Sequence, residues 1–429
     1  MKKLFTNCLK FLKKNRILVL VFIIFLFEVF FRFYQMDQRN PFSFDQVDNA
    51  WAAKTIIVDH RFPLVGMVAK GNSGIYIGPI YYYLISIFYL LTNLNPIASA
   101  LFAGVTSIFT FWALFYFVKK LTNSGTAVIA VLINTFISSG IAFDRVQWPV
   151  NFIPGISLII FYLLYKIVTG DAKKIVWLAV ATGFMCSIHF TAIFFPIIVL
   201  LSLPLFPRNK TTIKYILLSI PVFILFLAPN IIYQLSQKGA NGTFANYIGE
   251  NLHGFHLRRV IQLTHDALIQ FNHYLGWQIG EFLKYFALPV FFILYLYKSI
   301  KKNKLIFSYL ILLWFIVPWF VFSLYKGEIS DYYFSANRFI ALMVLSYLIY
   351  RVFSLKFLLA KILVVVALFI FCIYSFINFL PNAERNGLAS QEIAVSAQIK
   401  ASEKIDWGRG VPSAYIYYYL MRQKGIRVY

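Results

Sequence analysis

Acidic side chains and cysteines are scarce in this chain. Its 429 residues include 16 Asp and Glu against 40 Lys and Arg, and only 13% of the chain is charged. Hydrophobic residues make up 60% and aromatic residues 19%, so an ordinary soluble domain is excluded. The three cysteines lie in a basic N-terminal segment or in apolar runs, at Cys8, Cys186 and Cys372, and this placement does not suggest a disulfide framework.

The positions of the basic residues favour a membrane protein over a nucleic-acid-binding protein. A formal net charge of +24 is by itself compatible with nucleic-acid binding. The Lys and Arg residues, however, are gathered in short clusters between apolar runs, which is the positive-inside pattern of a polytopic membrane protein. These clusters are Lys119-Lys120, Lys173-Lys174, 208–214, 298–304 and 351–356.

The apolar runs predict an all-α membrane protein with about eleven transmembrane helices, since a spanning helix needs about 20 apolar residues. The run 76–91 is left out of this count. It opens with Gly78-Pro79 and carries tyrosines that suit the headgroup region, so we expect it to lie in the interface. If it crossed the membrane instead, Lys119-Lys120 would lie outside. The predicted spans are 17–36, 97–118, 125–143, 152–168, 175–188, 190–206, 213–233, 282–298, 305–325, 334–350 and 357–379.

The basic residues that precede the first span place the N-terminus in the cytoplasm. No small-residue cleavage site follows this span, so it is expected to be a retained anchor. The first outer loop, 37–96, then lies on the outer face. The chain divides into a transmembrane domain, 1–379, and a small extracytoplasmic tail, 380–429. We expect a multi-pass protein of the cell (plasma) membrane with its active site and C-terminus outside.

Within the first span, Glu28 and Arg32 stand four residues apart. Residues at this spacing are neighbours on a helix and can form an ion pair. Intramembrane charges are costly and usually meaningful, but Arg32 lies near the outer end of the span. The pattern therefore predicts a structural ion pair.

Two aspartates emerge just beyond the first span, at the outer membrane surface. Asp45 and Asp48 are three residues apart, so they share one face of an amphipathic helix that is predicted from Phe44 to about Val58. A carboxylate at this depth can act as a base on a substrate delivered from the bilayer. In the alternative interpretation, both acids are solvated and cap the helix.

The stretch 45–54, with the sequence Asp-Gln-Val-Asp-Asn-Ala-Trp-Ala-Ala-Lys, is similar to the first outer loop of GT-C membrane glycosyltransferases of the bacterial protein O-mannosyltransferase-like class. Many members of this class have Asp-Glu where this chain has Asp45-Gln46. Further features that resemble the class follow in the same order: 61–64, 78–83, 144–151, His189 and 331–334.

The resemblance implies a GT-C-like bundle with amphipathic interfacial helices in the first outer loop. It also implies transfer of a sugar from a polyprenyl-phosphate carrier to an acceptor on the outer face. The residue that Asp45 matches is the candidate catalytic base of such enzymes. Since Gln46 replaces the second acid, Asp48 is the second carboxylate nearby.

The leaving lipid phosphate of such a donor needs cations or hydrogen-bond donors close to it. The candidates for this role on the outer face are Lys54, Arg61, Lys70, Arg145, Arg258, Arg259, Lys326 and Arg338, and Asn151 beside Arg145 could hold a sugar or phosphate. Two of these candidates have a simpler alternative that the sequence leaves open. Arg145 can form a surface pair with Asp144, and Lys54 can extend toward anionic lipid.

Three further residues are candidates for lining the substrate cavity. His189 lies between two apolar runs, and Tyr332 and Tyr333 precede a late span. In the alternative interpretation, His189 is a packing residue and the tyrosines anchor the interface. The histidines of the loop 234–281 match no compact metal motif. No metal site or cofactor is therefore proposed, and a need for a divalent cation stays open.

Three functions are compatible with these features. The first is an inverting glycosyltransferase that uses a polyprenyl-phosphate sugar and a lipid, glycan or protein acceptor. The second is a flippase or transporter of a lipid-linked saccharide, and the third is a membrane scaffold or sensor. Transporters often place ionisable residues at mid-membrane in repeated halves. This chain shows no repeat and keeps its acids largely in outer loops, which favours the first function.

Overall fold

The computed structural model describes residues 15–69, 75–236, 246, 249–251, 256–267, 305–327, 329–381, 387–408 and 410–428. Helices make up most of this part of the chain. The first eight described here are α1 (Arg16–Phe33), α2 (Met36–Arg39), α3 (Phe44–Ile57), α4 (Ile80–Leu91), α5 (Ile97–Leu121), α6 (Ser124–Phe136), α7 (Ser138–Arg145) and α8 (Ile153–Val168). They are followed by α9 (Lys174–Ile188), α10 (Phe194–Ser202), α11 (Lys210–Ser236), α12 (Leu305–Ser323), α13 (Arg338–Phe353), α14 (Leu358–Phe379), α15 (Leu388–Lys400) and α16 (Pro412–Gln423).

Short 3-10 turns lead into or out of several long helices. Pro149–Phe152 precedes α8, Phe190–Ile193 precedes α10, Leu203–Leu205 follows α10, and Asp331–Asn337 precedes α13. Pro149 suits the first position of its turn because a proline lacks the N–H that would be unsatisfied there. These turns allow the chain to change direction after the C-terminal end of α7 and before the N-terminal end of α13.

Six of the described helices are long and apolar enough to cross a membrane. A seventh span is present if α6 and α7, which bend by 69° at their junction, are counted as one. The prediction of an all-α, polytopic membrane protein is confirmed, while the count of eleven spans is not. The predicted span 282–298 lies outside the described residues.

The run 76–91, which was left out of the predicted spans, contains the short helix α4 of 12 residues. At 1.5 Å per residue this helix is about 18 Å long, whereas the hydrocarbon core is about 30 Å thick. Tyr81 and Tyr89 are buried within the protein. The helix is therefore too short to cross the membrane alone, and it packs against α3.

A group of four buried charges joins three helices. The predicted pair within α1 is confirmed, with Arg32 Nε 3.2 Å from Glu28 Oε1. The same guanidinium reaches Asp144 Oδ2 through Nη2 at 2.8 Å, and Arg338 Nη1 lies 2.7 Å from Asp144 Oδ1. Two positive and two negative side chains thus balance one another in the interior.

Polar side chains from neighbouring helices complete the hydrogen bonding of this group. Glu28 accepts hydrogen bonds from Ser107 Oγ at 2.6 Å and from Thr135 Oγ1 at 2.8 Å. Arg338 Nη2 donates to Asn134 Oδ1 at 2.9 Å. Because burying charge is tolerated only when partners are supplied, these contacts fix the relative positions of α1, α5, α6, α7 and α13.

The C-terminal tail, of which 387–408 and 410–428 are described, packs onto the segment that follows α1. Tyr415 of α16 is fully buried, its ring centroid lies 5.1 Å from that of Trp51, and its hydroxyl donates to the carbonyl of Leu94 at 3.1 Å. Gln391 of α15 donates through Nε2 to the carbonyl of Phe42 at 2.8 Å. The tail therefore contacts the chain on both sides of Asp45.

Replacing Asp144 with Asn should strongly destabilise the protein. The amide keeps the shape of the side chain but leaves two guanidiniums of the group facing a single carboxylate, that of Glu28. Breaking a buried ion pair costs roughly 3–5 kcal/mol. The measurement is the unfolding of detergent-purified protein followed by heat or denaturant.

The matched control is Asp59→Asn, since Asp59 forms a more exposed pair with Lys54 at 2.9 Å. Surface pairs contribute about 0–1 kcal/mol. Equal effects of the two substitutions would contradict a central structural role for the buried group.

Candidate active site

Helix α3 begins with a capping box that places Asp45 in its first turn. Ser43 is the N-cap residue, and its backbone N–H donates to Gln46 Oε1 at 3.0 Å. Such a reciprocal arrangement satisfies N–H groups at a helix start, where a carboxylate also interacts favourably with the helix dipole. The helix predicted from Phe44 to about Val58 agrees closely with the observed Phe44–Ile57.

The loop after α7 is attached to the start of α3 by side-chain amides. Gln46 is buried and donates through Nε2 to the carbonyl of Gln147 at 2.6 Å. Asn40 Nδ2 donates to the carbonyl of Arg145 at 2.8 Å. Gln147 in turn donates through Nε2 to the hydroxyl of Tyr81 on α4 at 2.7 Å.

Beside these contacts lies a cavity of about 340 Å³. Among the described residues that line it, Asp45 is the one with a formal charge. The other described lining residues are aromatic, apolar or neutral polar. They are Met67, Val68, Ala69, Ile75, Ile77, Trp148, Pro149, Val150, His189, Phe190, Thr191, Ile193, Asn251, Val321, Phe322, Tyr325, Tyr332 and Tyr333.

The electrostatic environment of Asp45 suits a general base. Burial raises the pKa of the Asp45 carboxyl above its ordinary value, and the charge of Asp48 raises it further. Asp48 itself accepts a hydrogen bond from the hydroxyl of Tyr82 at 2.5 Å. A carboxylate with a raised pKa is a stronger base than a solvated one, and a catalytic base works best with a pKa closer to the operating pH.

One wall of the cavity contains two paired segments that follow α3, 66–69 and 75–77. Gly66 N–H donates to the carbonyl of Ile77 at 2.8 Å, and Ala69 N–H donates to that of Ile75 at 2.7 Å. Asn230 of α11 donates through Nδ2 to the carbonyl of Tyr76 at 2.8 Å. Sequence reasoning missed this wall. The turn-forming stretch 71–74, Gly-Asn-Ser-Gly, between two β-prone runs was the available signal.

Another part of the lining is a cluster of rings around Tyr332. The ring centroid of Tyr332 lies 5.2 Å from that of Trp148, 6.3 Å from that of His189 and 4.9 Å from that of Tyr333. The three predicted residues of this cluster, His189, Tyr332 and Tyr333, are thus brought together with Trp148. The flat faces and polar edges of these aromatic side chains suit contact with a sugar ring.

His189 is neutral in this environment. Burial lowers the pKa of its imidazole to about 4. The backbone N–H of Thr191 donates to His189 Nδ1 at 3.2 Å, so the ring proton belongs on Nε2. At neutral pH the ring can therefore donate one hydrogen bond but carries no positive charge.

Asn151 orients Trp148. It accepts a hydrogen bond from Trp148 Nε1 at 2.6 Å through Oδ1 and donates through Nδ2 to the carbonyl of Val146 at 2.6 Å. Asn151 is buried and does not itself line the cavity as described. Its contacts fix the indole against the cavity wall.

Arg145 caps the end of α1. Its guanidinium donates to the carbonyl of Phe31 at 2.6 Å and to that of Tyr34 at 3.0 Å. A cation at a helix C-terminus satisfies free carbonyls and interacts favourably with the dipole. The suggested surface pair with Asp144 is not what the structure contains, since Asp144 pairs with Arg32 and Arg338. A role for Arg145 in phosphate binding stays a prediction.

Lys54 and Arg61 lie in the segment that follows α1 and outside the described cavity lining. Lys54 pairs with Asp59 at 2.9 Å and its ammonium lies 5.8 Å from the ring centroid of Tyr418. Arg61 is exposed. Neither residue lines the cavity as described, and a role in headgroup binding stays a prediction for both.

Within the described ranges, no group of three or more His, Cys, Asp and Glu side chains could hold a metal ion. His256 and His265 of the loop 234–281 are exposed. His253 and His273 lie outside the described residues.

Replacing Asp45 with Asn should stabilise the protein at neutral pH. The pKa of Asp45 is raised in the folded state, so the folded protein binds this proton more tightly than the unfolded chain. The free energy of unfolding therefore falls as the pH rises from the pKa of Asp in the unfolded chain, about 3.9, through the pKa of Asp45 in the folded protein. Asn carries no charge and avoids that loss.

We expect Asp45→Asn to raise the thermal unfolding midpoint by roughly 1–3 °C at neutral pH. The gain should vanish as the pH approaches about 4. Asp37→Asn, at an exposed position of the same loop, is the control and should change little. A lower midpoint for Asp45→Asn at neutral pH would contradict the raised pKa.

Comparison with known proteins identifies the fold. Residues 77–233 match the family model described as dolichyl-phosphate-mannose-protein mannosyltransferase. No curated protein sequence matches the chain. The crystal structure of ArnT from Cupriavidus metallidurans bound to undecaprenyl phosphate superposes with a TM-score of 0.58 at 11% identity, over 93% of this chain and 68% of that one.

A second similar structure is an archaeal oligosaccharyltransferase. AglB from Archaeoglobus fulgidus, in complex with an inhibitory peptide and a dolichol-phosphate, superposes with a TM-score of 0.53 at 11% identity, over 91% of this chain and 58% of that one. Such low identities establish a shared fold. The match over 77–233 and this shared fold confirm the resemblance to the GT-C superfamily of membrane glycosyltransferases.

Proposed function

We propose that this protein transfers a sugar from a polyprenyl-phosphate carrier to an acceptor hydroxyl on the outer face of the membrane, with Asp45 as general base. The observation that carries the proposal is a carboxylate of raised pKa in a largely apolar cavity. The transmembrane part, 1–379, performs the reaction with the N-terminus in the cytoplasm, and the extracytoplasmic tail, 380–429, braces the first outer loop.

The mixed lining of the cavity supports a donor with an apolar chain and a polar headgroup. Ile75, Ile77, Ile193 and Val321 line it beside polar rings. An apolar wall favours burial of hydrocarbon by about 25 cal/mol per Å². The structure of ArnT contains undecaprenyl phosphate and that of AglB contains a dolichol-phosphate. Since both proteins have a similar fold, this supports the same class of donor here.

In the proposed reaction the acceptor oxygen attacks the anomeric carbon as its proton passes to the carboxylate of Asp45. The bond between the anomeric carbon and the phosphate oxygen breaks, and the lipid phosphate leaves as an anion with the bonding electrons. Because a single displacement occurs from the opposite side, the configuration at the anomeric carbon inverts. The phosphate is a good leaving group, so a strong general acid is not required.

The remaining candidate residues are assigned to substrate binding. Tyr332 and Tyr333 would stack on the sugar, and His189 would donate a hydrogen bond to it or to the phosphate. Lys54, Arg61, Arg145 and Asn151 remain the proposed sources of positive charge or hydrogen bonds for the phosphate and headgroup. Arg145 would have to give up a carbonyl contact to do so.

Asp48 is assigned to tuning the base. The phenol of Tyr82 donates to its carboxylate and holds it in place. The charge of Asp48 raises the pKa of the Asp45 carboxyl.

Replacing Asp45 with Asn should lower turnover by at least about 10²-fold, because positioned general bases contribute about 10²–10⁴-fold. Binding of the polyprenyl phosphate should remain. The measurement is the release of free polyprenyl phosphate from several polyprenyl-phosphate sugars by purified protein in lipid. Wild-type-like turnover of Asp45→Asn would remove the base assignment, and no release by folded wild-type protein would favour the flippase or transporter.

Replacing Asp48 with Asn should move the acid limb of the kcat/KM profile to lower pH. Removal of the neighbouring anion lowers the pKa of Asp45, so the base becomes deprotonated at a lower pH. It also becomes a weaker base, and the plateau should fall by less than for Asp45→Asn. An unchanged acid limb would show that the charge of Asp48 does not act on the base.

A further inference from the structure

The residue after Asp45 occupies a site with strict hydrogen-bonding requirements. Gln46 is 1% exposed, and both ends of its amide are engaged. Oε1 accepts from the Ser43 backbone N–H at 3.0 Å, and Nε2 donates to the Gln147 carbonyl at 2.6 Å. The side chain thus connects the first turn of α3 to the loop after α7.

That loop carries one wall of the cavity. Trp148, Pro149 and Val150 line the same cavity as Asp45, and they follow Gln147 directly. Gln46 directly follows the base Asp45 in the chain, and its partner Gln147 directly precedes Trp148 of the cavity wall. The hydrogen bond between Gln46 and Gln147 therefore links the base to that wall. A change in this contact alters the separation between the two.

We propose that Gln46 is a positioning residue that fixes Asp45 relative to the Trp148 wall, and that an uncharged hydrogen-bond donor is required at position 46. This inference rests on the proposed function.

A Glu at this position can serve the capping box but not the second contact while ionised. Its carboxylate oxygen would face the Gln147 carbonyl oxygen, so two acceptors would meet in a buried place without a proton between them. A protonated Glu could donate its O–H to that carbonyl. Burial raises the pKa of a carboxyl from its reference of about 4.3, so the contact would depend on pH.

Other ionisable groups occur on the elements that meet here. Among the contacts described for these groups, none goes to the Gln46 amide. Asp144 is engaged by Arg32 and Arg338, and the Arg145 guanidinium by carbonyls at the end of α1. The set comprises Asp45, Asp48 and Lys54 of α3, Tyr81, Tyr82, Tyr83 and Tyr89 of α4, and Asp144 and Arg145 of α7.

The test compares Gln46→Glu and Gln46→Met with wild type, in the full-length protein in lipid, at about pH 5.5 and about pH 9. The control is Gln38→Glu, the same change at an exposed position of the same loop. Release of polyprenyl phosphate gives kcat and the donor KM, each expressed relative to wild type at the same pH. The thermal unfolding midpoint is measured in parallel.

We expect Gln46→Glu to lower the relative kcat roughly 10- to 100-fold at the higher pH, since a small misplacement of a catalytic group costs about that much. The donor KM should change less. At the lower pH the relative kcat should recover to within about threefold. Gln46→Met should be impaired at both pH values because it lacks a donor, and Gln38→Glu should match wild type.

Two results would overturn the inference while leaving the proposed function intact. One is a relative kcat of Gln46→Glu that is the same at both pH values, and the other is wild-type turnover by Gln46→Met. If the wild type releases no polyprenyl phosphate, the proposed function fails by itself. The unfolding midpoints then test the amide requirement. A midpoint of Gln46→Glu that is lower than that of Gln38→Glu only at the higher pH supports the requirement. The same difference between the two midpoints at both pH values overturns it.

Discussion

Charge in an apolar medium is costly, and this protein meets that constraint in two opposite ways. Glu28, Arg32, Asp144 and Arg338 compensate one another and add hydrogen bonds from neighbouring helices. Asp45 lies beside an apolar cavity with a like charge nearby. The first arrangement stabilises the helix bundle, and the second leaves a carboxylate that gains by accepting a proton. We interpret this difference as the division between scaffold and reaction centre.

The segment 144–151 connects the two arrangements. Its first residue is fixed in the buried charge group, and Gln147 receives the amide of Gln46. Trp148 then enters the cavity lining, oriented by Asn151. Any movement of α7 relative to α1 would therefore be transmitted to the wall that faces the substrate. The buried charges also argue for structure over transport, because each carboxylate is already satisfied by fixed partners.

Local patterns in the sequence were sufficient to predict the all-α membrane fold, the helix that carries Asp45 and the Glu28–Arg32 pair. All three depend on residues close together in the chain. The contacts that complete the site do not. Arg338 meets Asp144 across 194 positions and Gln46 meets Gln147 across 101, and no local periodicity encodes such pairings. For the same reason the sequence left open whether Arg145 binds phosphate or pairs with Asp144 at the surface, and it gave no sign of the partners of Arg145 at the end of α1.

The proposed reaction is a direct displacement at the anomeric carbon, assisted by the carboxylate of Asp45, whose pKa is raised by burial and by the charge of Asp48. The most direct measurement is the anomeric configuration of the product by NMR, after transfer from a polyprenyl-phosphate sugar of defined configuration. We expect the product to have the inverted configuration. Retention would require a second displacement and a covalent intermediate, which would contradict the role given to Asp45.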